Sequence, residues 1–70
     1  MYHINAYTSH ETMDRGTDAE TTADTLKEAK AKARHYISED FRRLAEMSAR
    51  LMYAQVLDGN GECVADFFGK

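Results

Sequence analysis

Along the first residues, Tyr2, Ile4 and Ala6 alternate with His3, Asn5 and Tyr7. A period of two is that of a strand with one buried face, and it predicts a strand over residues 1–8. Residues 9–24, SHETMDRGTDAETTAD, carry almost no large apolar side chain and hold one glycine. They are read as an acidic loop, with room for a short extra strand near Ala19–Ala23. So long a loop in a compact domain is either functional or mobile.

Periodicity changes at Thr25. The run TLKE places threonine at an N-cap with Glu28 three residues on, the spacing of a capping box. Beyond it, Leu26, Ala29, Ala33, Ile37, Leu44 and Ser48 fall on one face at about 100° per residue. Tyr36 and Phe41 flank that stripe. Ser38, followed by Glu39 and Asp40, repeats the N-cap signal with acids in the first turn. The helical region 25–48 is therefore one long helix or two short ones, and the second cap favours a joint near Ser38.

The C-terminal part, LMYAQVL then DGNG then ECVADFF, predicts a hairpin of strands 50–57 and 62–68, because Asp, Asn and Gly accept the positive φ of tight turns. With residues 58–61 as the loop, Leu57 faces Glu62. That register sets Met52, Ala54 and Val56 against Phe67, Ala65 and Cys63 on one apolar side. The other side pairs Leu51 with Phe68, Tyr53 with Asp66 and Gln55 with Val64. A one-residue slip would mix the two sets.

These elements assemble as an α+β fold in one domain over residues 1–70: a three-stranded, mainly antiparallel sheet (β-α-β-β) with one long or two short helices packed on one face. A chain of 70 residues lies near the lower size limit for folding without a staple. The single cysteine excludes an internal disulfide, and no Cys/His ladder offers zinc. The N-terminus lacks the pattern of a signal peptide, and no segment could span a bilayer, so a soluble, cytoplasmic protein with no membrane contact is expected.

Charge divides the chain. Residues 1–25 hold five acids and one base, residues 26–53 seven bases and four acids, and residues 54–70 three acids and one base, for a net −3. Within the basic part, Glu28 precedes Lys32, Glu39 precedes Arg43 and Glu46 precedes Arg50, each at the favourable i,i+4 spacing. Lys27, Lys30 and Arg34 remain unmatched, as a narrow strip beside the apolar stripe. Without interleaved aromatics or a Gly-rich phosphate loop, that strip fits a solvated helix face or an acidic protein partner better than nucleic acid.

Candidate chemistry is sparse. Asp58, Asn60 and Glu62 alternate as calcium ligands would, but the sixth and twelfth positions of an EF-hand loop here are Cys63 and Gly69, so the turn reading is preferred. Cys63 lies on the apolar side of the predicted hairpin, where cysteine behaves as a small hydrophobe. His3, His10 and His35 have no metal-ligand spacing, and no carboxylate pair suggests acid–base work. No catalytic residue, metal or cofactor is therefore expected. Two features stand out as protein-binding candidates. One is the outer face of the hairpin, Tyr53, Leu57, Val64 and Phe68, joined by Tyr7. The other is charge: Lys27, Lys30 and Arg34 on the helix, and Glu11 and Asp14 in the acidic loop.

Two stretches, ADTLKEAKAKA and YAQVLDGNGECVADF, give the chain a resemblance to small phage-encoded anti-CRISPR proteins of strand–helix–strand–strand plan. The resemblance implies a non-catalytic, stoichiometric inhibitor that binds a host defence protein or ribonucleoprotein complex. It carries over no contact residue, and the mild net charge departs from the strongly acidic, DNA-mimicking members. The alternatives are a homo-oligomeric accessory or structural phage protein, for instance a homodimer closing on the same outer face, and a weak nucleic-acid binder using the three helix cations.

Overall fold

The computed structural model describes residues 1–9, 16–46 and 50–69. In chain order the elements are β1 (Tyr2–Tyr7), β2 (Ala19–Ala23), α1 (Leu26–Tyr36), α2 (Glu39–Leu44), β3 (Tyr53–Leu57) and β4 (Cys63–Phe68). The sheet order is β2-β1-β3-β4, and every neighbouring pair is antiparallel. The fold is thus α+β, with four strands where the sequence predicts three.

The additional strand is β2, at the Ala19–Ala23 stretch where the acidic loop leaves room for a short extra strand. Its apolar content is only Ala19 and Ala23, too little for a strong periodic signal. Local bonds compensate: the Asp18 N–H donates to the Ala6 carbonyl at 2.9 Å, while the Asp18 carboxylate accepts from the Thr8 N–H at 2.8 Å. Asp18 so pins the start of β2 against β1, and the pairing of Tyr2 with Ala23 closes the other end.

Thr25 caps α1 through its side-chain oxygen, which accepts from the Glu28 N–H at 3.2 Å. Ser38 ends one helix and starts the next. Its hydroxyl donates to the His35 carbonyl at 2.6 Å and accepts from the Phe41 N–H at 3.2 Å. The helical region is therefore two short helices joined at that serine. Leaving the first helix axis there overturns the long apolar stripe: Leu44, expected on the core face, is 78% exposed. Ser48, placed on the same stripe, lies outside the described residues.

Ion pairing on α2 follows the shorter spacing, with Arg42 against Glu39 at 2.6 Å and Arg43 against Asp40. Glu39 with Arg43, the predicted partner, is replaced by these i,i+3 pairs. Glu46 follows the helix with a positive φ of 54°, and residues 47–49, between it and its predicted partner Arg50, lie outside the described residues. The Arg50 guanidinium donates to the Ile37 carbonyl at 3.0 Å.

The core lies between α1 and one face of the sheet. Ile4, Leu51 and Val56 are its largest fully buried side chains, and the alanines at 6, 23, 29, 33 and 54 complete it. Alanine on both surfaces lets the helix approach the strands closely, so a short helix still excludes water. Burying each of the three large side chains is worth about 1.5–3 kcal/mol. Tyr36, Phe41, Ala65 and Phe67 pack on the periphery, half-buried.

The β3–β4 hairpin differs from its predicted register. Tyr53 pairs with Phe68, Ala54 with Phe67, Gln55 with Asp66 and Val56 with Ala65, a shift of two residues. Two single-residue steps produce it. The loop closes between Asp58 and Glu62 around only three residues, with Gly61 at φ 84° in the left-handed position. A bulge then follows, since Leu57 pairs with Cys63 but Val56 with Ala65. After both steps the apolar face is restored, because side-chain direction has period two. Between them it is not. Cys63, expected on the apolar face, is therefore opposite Leu57 and exposed.

Candidate functional site

On the face away from α1, Tyr7, Tyr53 and Phe68 form a row across β1, β3 and β4. The Tyr7 and Tyr53 rings stack with centroids 6.0 Å apart, and Tyr53 meets Phe68 at 4.8 Å with the planes tilted by 42°. Direct cross-strand pairing of Tyr7 with Tyr53 and of Tyr53 with Phe68 creates the row. The sequence cue was present, but the register that aligns three aromatics comes from the tighter loop and the bulge together.

Exposure grades along this row. Tyr7 and Tyr53 are buried, at 6% and 4%, whereas Phe68 is 61% and Val64 44% exposed. The outward-looking aromatic face expected from the sequence is therefore corrected for two of its members. Both tyrosines keep polar partners: Gln55 donates to the Tyr7 hydroxyl at 3.1 Å, and the Tyr53 hydroxyl hydrogen-bonds with Asp66. Burial, reinforced by the Asp66 carboxylate, raises the Tyr53 phenol above its ordinary pKa. Leu57 is half-buried. What reaches solvent is the β4 end of the face, Val64 and Phe68, with Cys63 nearby.

The helix cations fall on a different side. Lys27, Lys30 and Arg34 share one flank of α1 by the helical repeat, and the Arg34 guanidinium lies 5.1 Å from the centroid of the Phe67 ring. This contact orients that flank toward β4. On the other flank, Lys32 stands 3.4 Å from Glu28 and donates to the Thr22 carbonyl of β2 at 2.7 Å. Arg34 is thus not merely solvated, as its unmatched charge suggested; it packs on an aromatic ring. Glu11 and Asp14 lie outside the described residues, as does His10.

Groups that could have carried chemistry are engaged structurally. The Asp58 carboxylate accepts from the Asn60 and Glu62 N–H groups at 2.9 and 3.0 Å, which is an Asx-type brace of the turn. The Cys63 thiol makes a 3.4 Å contact with the Ala65 carbonyl. Among the described residues no group of three or more His, Cys, Asp or Glu could hold a metal ion. Nor, among them, is any helix long and apolar enough to cross a membrane.

Two shallow depressions mark the surface. One, at the α1–α2 corner, is lined by His35, Asp40, Arg43 and the exposed Leu44. Phe41 is wedged there between His35 and Tyr36, with edge-to-face contacts of 5.5 and 4.9 Å. The other, lined by His3, Asn5, Glu20, Thr21 and Thr22, lies over β1 and β2. Neither region was singled out from the sequence; the spent Leu44 stripe position is the one signal that pointed near the first.

No family model, curated protein or solved structure matches this chain.

Proposed function

We propose that the chain is a non-catalytic protein–protein interaction module. The observation that carries this reading is the exposure of Val64 and Phe68 on β4, the last strand of the sheet, on the face away from α1, while the α1 flank that bears Lys27, Lys30 and Arg34 stands on the other side of the same strand. Large apolar side chains at an exposed sheet margin with one sign of charge alongside suit a contact surface. The structural engagement of Asp58 and Cys63 is in keeping with a molecule that acts by binding.

The resemblance of the helix opening and hairpin to anti-CRISPR proteins gives the reading its finer form: a phage-type stoichiometric inhibitor that engages a host protein or ribonucleoprotein complex of the CRISPR-Cas type, in the host cytoplasm. Capture of specific proteins from bacterial lysates on immobilised chain, identified by mass spectrometry, is the test. Binding that weakens in Val64→Asp and Phe68→Asp supports the reading; recovery of no specific protein across several hosts overturns it. A homodimer closing on the same β4 residues is the second reading, favoured by the 61% exposure of Phe68. Light scattering at tens of micromolar decides it, since a monomer there removes the dimer.

A further inference from the structure

The two margins of the sheet are built differently. At the β2 margin, Lys32 donates to the Thr22 carbonyl at 2.7 Å, so a backbone acceptor is already taken by a side chain from α1. Such lysine cover is a common way of closing a sheet edge to further strands. The β4 margin has no matching cover from α1's described contacts; the Arg34 guanidinium instead stands 5.1 Å from the centroid of the Phe67 ring, on the α1-facing side of β4 itself.

The direction of the β4 backbone follows from its ladder. The Gly69 N–H donates to the Met52 carbonyl at 2.7 Å, and Phe67 and Ala65 pair with Ala54 and Val56. Residues 65, 67 and 69 therefore turn their amides and carbonyls toward β3, and alternation turns those of Asp66 away from it. On the side of that edge nearest α1 stands the cationic flank of Lys27, Lys30 and Arg34. On the opposite face lie the exposed Val64 side chain and the Asp66 carboxylate.

We infer that β4 is a docking edge for an extended, acidic segment of a partner protein, added as a fifth strand against the Asp66 backbone. This rests on the reading of the chain as a protein-binding module, and it names the surface and the chemistry of the partner. In an added strand, successive side chains point to opposite faces. Acidic side chains at alternate positions meet the flank of Lys27, Lys30 and Arg34, and apolar ones at the intervening positions cover Val64. Main-chain bonds supply affinity, and the alternation supplies selectivity. A second copy of this chain is the poorer occupant: antiparallel pairing of two β4 strands centred on Asp66 sets two carboxylates directly opposite each other, which is unfavourable.

The probe is a labelled peptide of alternating glutamate and valine, compared with the same peptide carrying lysine for glutamate. Fluorescence anisotropy and amide hydrogen exchange are read on the full chain. The glutamate peptide is expected to bind and to slow exchange at Asp66, and the lysine peptide to bind at least about tenfold more weakly. Its affinity should fall several-fold between about 50 and about 500 mM salt, and Arg34→Glu combined with Lys30→Glu should cost about tenfold or more. Asp66→Pro removes an N–H that faces away from β3, so it should abolish peptide binding with the melting transition retained. If that variant unfolds, Asp66 exchange in the unaltered chain decides alone.

Equal binding of both peptides, no binding of either, or protection at β2 instead of β4 overturns the inference. So does concentration-dependent protection of Asp66 without peptide, which would mean that a second copy sits there. A lysate protein captured without protecting Asp66 sinks this inference and leaves the protein-binding reading standing.

Discussion

Lys32 reaches from α1 to the Thr22 carbonyl of β2 at 2.7 Å while its ammonium stays 3.4 Å from Glu28. One side chain so ties the helix to a strand that has little apolar surface of its own. Both partners are largely solvated, so the net contribution is modest. Lys32→Met should lower stability by about 0.5–1 kcal/mol, measured by urea denaturation. Because the Thr22 carbonyl then loses its cover, the variant should also self-associate at lower concentration, as seen by light scattering; unchanged solubility and stability would show that the β2 margin needs no cover.

Two leucines that look alike in sequence are expected to behave oppositely. Leu51 is 1% and Leu44 78% exposed. Leu51→Ala should cost about 2–5 kcal/mol through lost burial and the cavity left behind, whereas Leu44→Ala should lie within about 0.5 kcal/mol of the parent. Thermal or urea melts of the two variants check the break at Ser38, because a continuous helix would bury Leu44 and make both changes costly.

The two caps are separate and should act additively. Thr25→Ala removes the acceptor for the Glu28 N–H, and Ser38→Ala removes both the acceptor for the Phe41 N–H and the donor to the His35 carbonyl. Each should destabilise by about 1 kcal/mol, with the serine the larger because one hydroxyl serves two helix ends. The double variant should equal the sum to within about 0.5 kcal/mol; a marked deficit would place the two caps in one cooperative unit.

Gly61 sits at φ 84°, where a Cβ is disfavoured although nothing lies within 4 Å of that position. Backbone conformation, not crowding, therefore sets its requirement. Gly61→Ala should cost about 1–2 kcal/mol, and Gly61→Asn less, since asparagine tolerates the left-handed region. Equal losses in the two variants, by denaturant titration, would point to crowding instead.

Burial holds the Tyr53 phenol above its ordinary pKa, with the Asp66 carboxylate adding to the effect. The native state then keeps a proton that the unfolded chain releases. The stability this contributes is fully present below the ordinary tyrosine range and is lost as pH rises through the raised folded value. Absorbance titration of the tyrosines should show a late-ionising component that Tyr53→Phe reduces without abolishing, and Asp66→Asn should shift the Tyr53 part of it downward. Ionisation of every tyrosine in the ordinary range would contradict the buried row. Tyr36 is also raised by burial, so it contributes to the same alkaline component.

The sequence by itself determined the parts that depend on short-range chemistry. The strand period at Tyr2–Tyr7, the Thr25 and Ser38 caps, the Ala29 and Ala33 face and the DGNG turn all follow from neighbours within a few residues, and each is present in the structure. The candidate surface was legible to the extent that it depended on the same signals: Val64 and Phe68 stood out as large apolar side chains in a hairpin. What only the tertiary structure decided involves pairings distant in sequence. Ala19–Ala23 became a strand because β1 was there to pair with it, through Asp18. Burial of Tyr7 and Tyr53, the cation–π contact of Arg34 with Phe67, and the contrast between the two sheet margins depend on which strand lies last and on the bulge that moves β4 by one residue. A bulge leaves the local composition unchanged and shifts only the register, so the pattern of hydrophobic positions reads almost the same with or without it.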